Sequence, residues 1–156
     1  MGTRLLISVT MISVTCALHA WVSVLQTELS HRPWLRAWCI RHTMARFLLI
    51  VTMALLTAFA LLVEVLLWAL LFQGLGLFPS LEGSLYFSGI TFTTVGYGDM
   101  TLPDCWRLLS VGEAVNGVLM AGWSAAQLIT VVQHMMELRL LRDQAADLGA
   151  SGGAES

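Results

Sequence analysis

Lysine is absent from the 156 residues, so all eight basic side chains are arginine, and charged residues of both signs make up only 12% of the chain. With a formal net charge of -2 and no dense basic block, the sequence offers nothing for a phosphate backbone to grip, and nucleic acid is excluded as a partner. Cysteine is scarce as well. Cys16, Cys39 and Cys105 are odd in number and far apart, which argues against a disulfide framework or a metal-ligand set and leaves structural thiols. No nucleophile-base pair stands out, so an enzyme is not expected, and no cofactor is implied. The chain also lacks an internal repeat.

Apolar residues, in contrast, make up 57% of the chain, and the mean hydropathy is +0.77. This composition predicts an integral membrane protein. Residues 1–27 contain a first apolar run, Leu5 to Leu25, long enough to span a bilayer. Arg4 in front of it raises a signal peptide as the alternative, but no small-x-small cleavage site follows. Residues 28–46 carry Arg32, Arg36, Arg41 and Arg46, with Trp34 and Trp38 four apart, and read as a cytoplasmic loop lying at the membrane interface. The arginines lack the every-third spacing of a voltage-sensing helix.

Residues 47–72 form the strongest apolar run, about 39 Å at helical rise, and are expected as an outer helix. Gly74, Gly76 and Pro79 stop it. Ser80 is a good N-cap for a helix over 81–93, with Glu82 in the first turn where the helix dipole favours a negative charge. That helix is too short to span and is expected to re-enter the membrane. Residues 99–104 with Pro103 make a return loop. Residues 108–136 read as an inner helix rich in small residues, and 137–156 as a cytoplasmic tail with a disordered end from Gly149. The arginine distribution places the N-terminus outside and the C-terminus in the cytoplasm of a multi-pass cell-membrane protein.

Between the short helix and the return loop stands Thr93-Thr94-Val95-Gly96-Tyr97-Gly98-Asp99. A chain whose successive carbonyls all face one axis must alternate right- and left-handed backbone, and glycine enters the left-handed region without steric cost. Gly96 and Gly98 fit that alternation. The carbonyls of Thr94, Val95, Gly96 and Tyr97, with the Thr94 hydroxyl, can then replace the hydration shell of a cation. Thr94 to Asp99 resembles the filter signature of potassium channels residue for residue, and 47–136 is similar to the bacterial two-transmembrane pore module, with one added N-terminal helix. Tyr86-Phe87-Ser88, Glu113 and Gly117 also look like bacterial relatives of two-pore-domain type. The resemblance implies an all-α membrane fold of three transmembrane helices, a re-entrant pore helix and a filter loop, with K+ bound at Thr94 to Tyr97 and Gly98 completing the ion-binding run. One filter per chain implies a homotetramer in contact with membrane lipids. A weakly selective cation pore and a non-conducting scaffold are the alternatives.

Filter support is expected from Asp99, Tyr86, Thr93, Glu64 and Glu113. Ile90 stands where some relatives carry a glutamate for the filter aspartate, so Asp99 is expected to turn to the Tyr86 hydroxyl; Phe87 cannot donate to Tyr97. Glu64 and Glu113 lie about 12 and 9 Å below the outer ends of their helices and share a level beside the pore helix. Each is expected to bond a hydroxyl such as that of Thr91 or Thr93, or the two form a protonatable pair. His19 reads as too deep on the other side to join them. Gly117 is either a packing glycine or a hinge of the inner helix. Ala121, Ala125 and Ile129 follow it at helical spacing as pore-lining candidates.

Overall fold

A computed structural model of the chain describes residues 2–152, with side chains through Gln144. Its helices are α1 (Gly2–Ser30), α2 (Pro33–Arg41), α3 (Thr43–Gly74), α4 (Leu81–Phe92) and α5 (Arg107–Gly152), the last preceded by a 3-10 turn at Asp104–Trp106. The described residues contain no strand. Three stretches, Gly2–Ser30, Thr43–Gly74 and Asp104–Gln144, are long and apolar enough to cross a membrane. The expected all-α architecture is therefore found. At 32 residues, α3 is about 48 Å long, well beyond a hydrocarbon layer of about 30 Å, so it must tilt or overhang.

The boundaries follow local chemistry. Pro33 opens α2 at a position where its missing N–H costs nothing. The end of α3 is a Schellman turn: Leu77 N–H bonds the Phe72 carbonyl at 3.0 Å and Gly76 N–H the Gln73 carbonyl at 2.9 Å. Gly76, at φ +69°, supplies the left-handed residue this turn requires. Ser80 caps α4 as expected, its Oγ accepting from Gly83 N–H at 3.1 Å.

Two expectations are corrected at the chain ends. The first helix is longer than residues 5–25, running to Ser30. The inner helix does not stop at Met136 but continues through the expected tail to Gly152. Glu137 to Leu148 contains no glycine or proline, and Arg139 Nε sits 3.8 Å from Asp143 Oδ2 across one helical turn, so nothing breaks the helix there. The disorder expected from Gly149 gives way to helix as far as Gly152, and residues 153–156 lie outside the described residues.

The chain divides into two units. The first, Met1–Val22 with Thr57–Ser124, is centred on Trp68, Phe72, Phe78, Phe87, Phe92, Leu102, Leu109 and Met120. Phe72 meets Phe87 edge-on with centroids 5.3 Å apart, and Phe78 lies 5.0 Å from Phe87. These rings seat the buried side of α4 against α3. The second unit, Ser23–Leu56 with Ala125–Ser156, buries Leu35 and Cys39 of α2 against Leu49, Met53, Val131, Met135 and Leu138. Burial pushes the Cys39 thiol up from its ordinary value, with Arg46 opposing the shift, which suits an inert structural thiol. Trp34 and Trp38 on the other face of α2 are exposed.

Candidate functional site

The segment after α4 departs from every regular element. Thr94, Gly96 and Gly98 have φ of +62°, +49° and +80°, while no positive φ occurs at Val95 or Tyr97. The backbone thus alternates hand at every residue from Thr94 to Gly98, a pattern that turns consecutive carbonyls toward one side. Both glycines take the left-handed conformation expected of them. Thr94 was not foreseen there: a β-branched residue in that region carries strain, of order 1–3 kcal/mol.

Few of the segment's polar groups are used within the chain. Thr94 N–H bonds the Thr91 carbonyl and Gly96 N–H the Ile90 carbonyl, both at 3.0 Å. Among the described residues, nothing donates to the carbonyls of Thr94, Val95, Gly96 or Tyr97. Thr93 through Asp99 are all exposed, with Tyr97 at 73%. A groove of about 490 Å³ runs alongside, lined by Thr94, Gly96 and Gly98 together with Phe87, Thr91 and Arg107.

The supports of this segment come from α4 and α5. The Tyr86 hydroxyl donates to Asp99 Oδ2 at 2.7 Å, the pairing expected in the absence of a glutamate at Ile90. That bond is the main reason the Tyr86 phenol sits above its ordinary value, with some burial and the charge on Asp99 adding to it. The Thr93 hydroxyl closes the end of α4 by donating to the Gly89 carbonyl at 2.6 Å. Ser88 stands between the Val65 carbonyl, 2.8 Å away, and Oε1 of Glu113. Glu113 therefore meets a hydroxyl of α4, as expected, but that of Ser88 rather than Thr91 or Thr93. The signal for Ser88 was its place with Ser84 at i, i+4 on the side of α4 that also buries Phe87 and Phe92.

Glu64 does not join Glu113, and its expected partner is wrong. Its Oε1 lies 2.8 Å from His19 Nδ1, both side chains being almost fully buried. His19 was placed too deep to reach it, an error of side-chain direction. Side chains tilt toward the N-terminus of their own helix. On helices of opposite direction, two glutamates at one level therefore reach opposite ways. His19 is held further by α5, with Nε2 3.4 Å from Ser124 Oγ and the ring edge-on to Trp123 at 5.5 Å. Asn116, fully buried and absent from the sequence reading, donates from Nδ2 to Thr15 Oγ1 at 2.8 Å. An asparagine among the apolar and small residues of the first half of α5 is the available clue.

Gly117 owes its identity to close approach. A Cβ at this position would overlap the Phe92 carbonyl at the end of α4, so only glycine lets α5 lie that near. Around it α5 is unbroken helix, and the close approach gives the packing reading direct geometric support. Ala121 in the first unit, and Ala125 and Ile129 in the second, are all exposed.

Residues 59–134 match the family model described as ion channel, a stretch that takes in α4, the segment after it and parts of α3 and α5. Protein LctB of Geobacillus stearothermophilus and Protein LctB of Bacillus caldotenax are each 48% identical to this chain over 40 residues. That stretch is 26% of this chain and 30% of theirs, so the chain spans under a third of the length of the curated relatives it matches. No solved structure matches. The matched stretch joins parts of two of the three helices that are long and apolar enough to cross a membrane.

Proposed function

We propose that the chain is one subunit of a homotetrameric channel that conducts K+ passively and selectively, with the carbonyls of Thr94, Val95, Gly96 and Tyr97 and the Thr94 hydroxyl as ion ligands. One observation carries the reading: these carbonyls accept no hydrogen bond from the described residues, on a backbone that alternates hand at 94, 96 and 98. At membrane depth an unserved carbonyl costs several kcal/mol unless it lines a water- or ion-filled path or is covered by protein. Four such segments around one axis meet both conditions. Asp99, Tyr86, Thr93 and Glu113 hold the segment from behind, while Glu64 acts at one remove through α1 and α3. Ala121, Ala125 and Ile129 line the path beyond it, and Gly117 seats α5 under α4. The N-terminus lies outside and the C-terminus in the cytoplasm, so exposed Cys105 faces outward.

Purified protein in liposomes tests this by cation flux under a K+ or a Na+ gradient. The reading expects K+ flux and little Na+ flux. Comparable Na+ flux would replace it with a weakly selective cation pore, and a folded tetramer that passes neither ion would be a scaffold.

A further inference from the structure

In the first unit the N-terminal helix does more than fill lipid-facing space: it meets α5 along a stripe that carries two buried polar pairs, Thr15 with Asn116 and His19 with Ser124. On α5 the stripe is Gly112, Asn116, Met120 and Ser124, four residues apart and therefore on one face. On α1 it is Ser8, Thr15 and His19, with Met11 and Ile12 between them packed on the cluster that contains Met120. The contacts rise together along both helices. Ser8 Oγ would lie 2.7 Å from a Cβ at Gly112, Thr15 bonds Asn116, and His19 reaches Ser124. The two helices run parallel over about 17 Å. The far side of the same histidine is bonded to Glu64 of α3.

The stripe brackets Gly117, the residue that lets α5 touch the end of α4. Asn116 is its immediate neighbour, with Gly112 about one turn before it and Ser124 about two turns after. Bending α5 at Gly117 would carry Asn116 or Ser124 away from α1 and leave buried polar groups unpaired, which is unfavourable for each. We infer that α1 is a built-in brace that holds α5 in place across Gly117 and opposes its bending there, with Thr15, His19 and Asn116 as positioning residues. The structural half stands without the channel reading; the effect on opening rests on it.

Two readouts on the reconstituted full chain separate these halves. The first is backbone hydrogen exchange over residues 112–124 in wild type, Thr15→Val, Thr15→Ser and His19→Gln. Thr15→Val keeps the side-chain shape and removes the hydroxyl, so exchange should rise roughly three- to tenfold, and Thr15→Ser should restore it. His19→Gln gives an independent route if Thr15→Val fails to assemble, with a rise in the same segment expected. Unchanged exchange over 112–124 in a folded variant overturns the brace. The second readout is single-channel open probability, expected to rise with exchange while unitary conductance stays the same. Raised exchange with unchanged or lowered open probability overturns the opposition to opening, while silence in wild type as well would count against the channel reading and leave the brace in place.

Discussion

Two faces of the first unit treat polar groups in opposite ways. Behind α4, Ser88, Glu113, Thr15, Asn116, His19 and Glu64 are buried and each finds a partner inside the chain. In front of it, the carbonyls from Thr94 to Tyr97 have none among the described residues, although the backbone there adopts a conformation that is costly for threonine. Oε2 of Glu64 and of Glu113 and Ser8 Oγ are buried without a partner among the described residues, so the contrast is between bonded side chains and open backbone carbonyls. The open face is the part the proposed assembly completes, and the bonded side chains behind it are what keep it in shape.

The sharpest way to break this contrast is at the contact between the faces. Gly117→Leu places a side chain against the Phe92 carbonyl, which is backbone and cannot swing aside. The expected cost is about 3 kcal/mol or more, with loss of the proposed tetramer on size exclusion in detergent. A folded, assembled Gly117→Leu protein would show that α5 does not need to lie so close.

A smaller effect is expected from Ser88→Ala, which removes the hydroxyl donor facing Glu113 and leaves a buried carboxyl group without its partner. Thermal melting in detergent should report a loss of about 1–3 kcal/mol. Glu113→Gln should cost less, because the amide can still meet Ser88. Equal losses from the two substitutions would mean that charge or shape at position 113, rather than the Ser88 bond, sets the stability.

The smallest effect lies at the exposed end. The Tyr86 phenol is held above its ordinary value chiefly by its bond to Asp99. The bond's stabilisation is therefore fully present below the unfolded phenol value of about 10 and is lost as pH rises through the higher folded value. Wild type should lose melting temperature in that alkaline window by more than Tyr86→Phe, which starts lower and lacks the titration. Parallel curves would remove Tyr86 from the supports of the segment from Thr94 to Asp99.

Much of this contrast was legible in the sequence, for identifiable reasons. Gly96, Gly98 and Ser80 each demand a particular local backbone or cap, so their positions could be read without neighbours. The Tyr86–Asp99 bond follows from the resemblance, which puts a partner for the aspartate at the position where this chain has Ile90. The pairings across helices were harder. His19 with Glu64 depends on the direction side chains take from helices of opposite sense, and axial position along a helix does not supply that. Thr94 was missed because left-handed strain in a β-branched residue arises from its surroundings, not its propensity. The helix past Met136 was missed because polar composition was read as a tail, although Glu137 to Leu148 has no helix breaker.

The central claim is that selectivity resides in the backbone of Thr94 to Gly98. Reversal potential in planar bilayers, with K+ on one side and Na+ on the other, measures it directly in wild type and Gly98→Ala. Wild type should reverse near the K+ equilibrium potential. A Cβ at Gly98, where φ is +80°, adds about 1–2 kcal/mol of strain, and the variant should lose selective current or reverse near zero. A wild-type channel that reverses near zero, or a Gly98→Ala channel as K+-selective as wild type, would contradict the account.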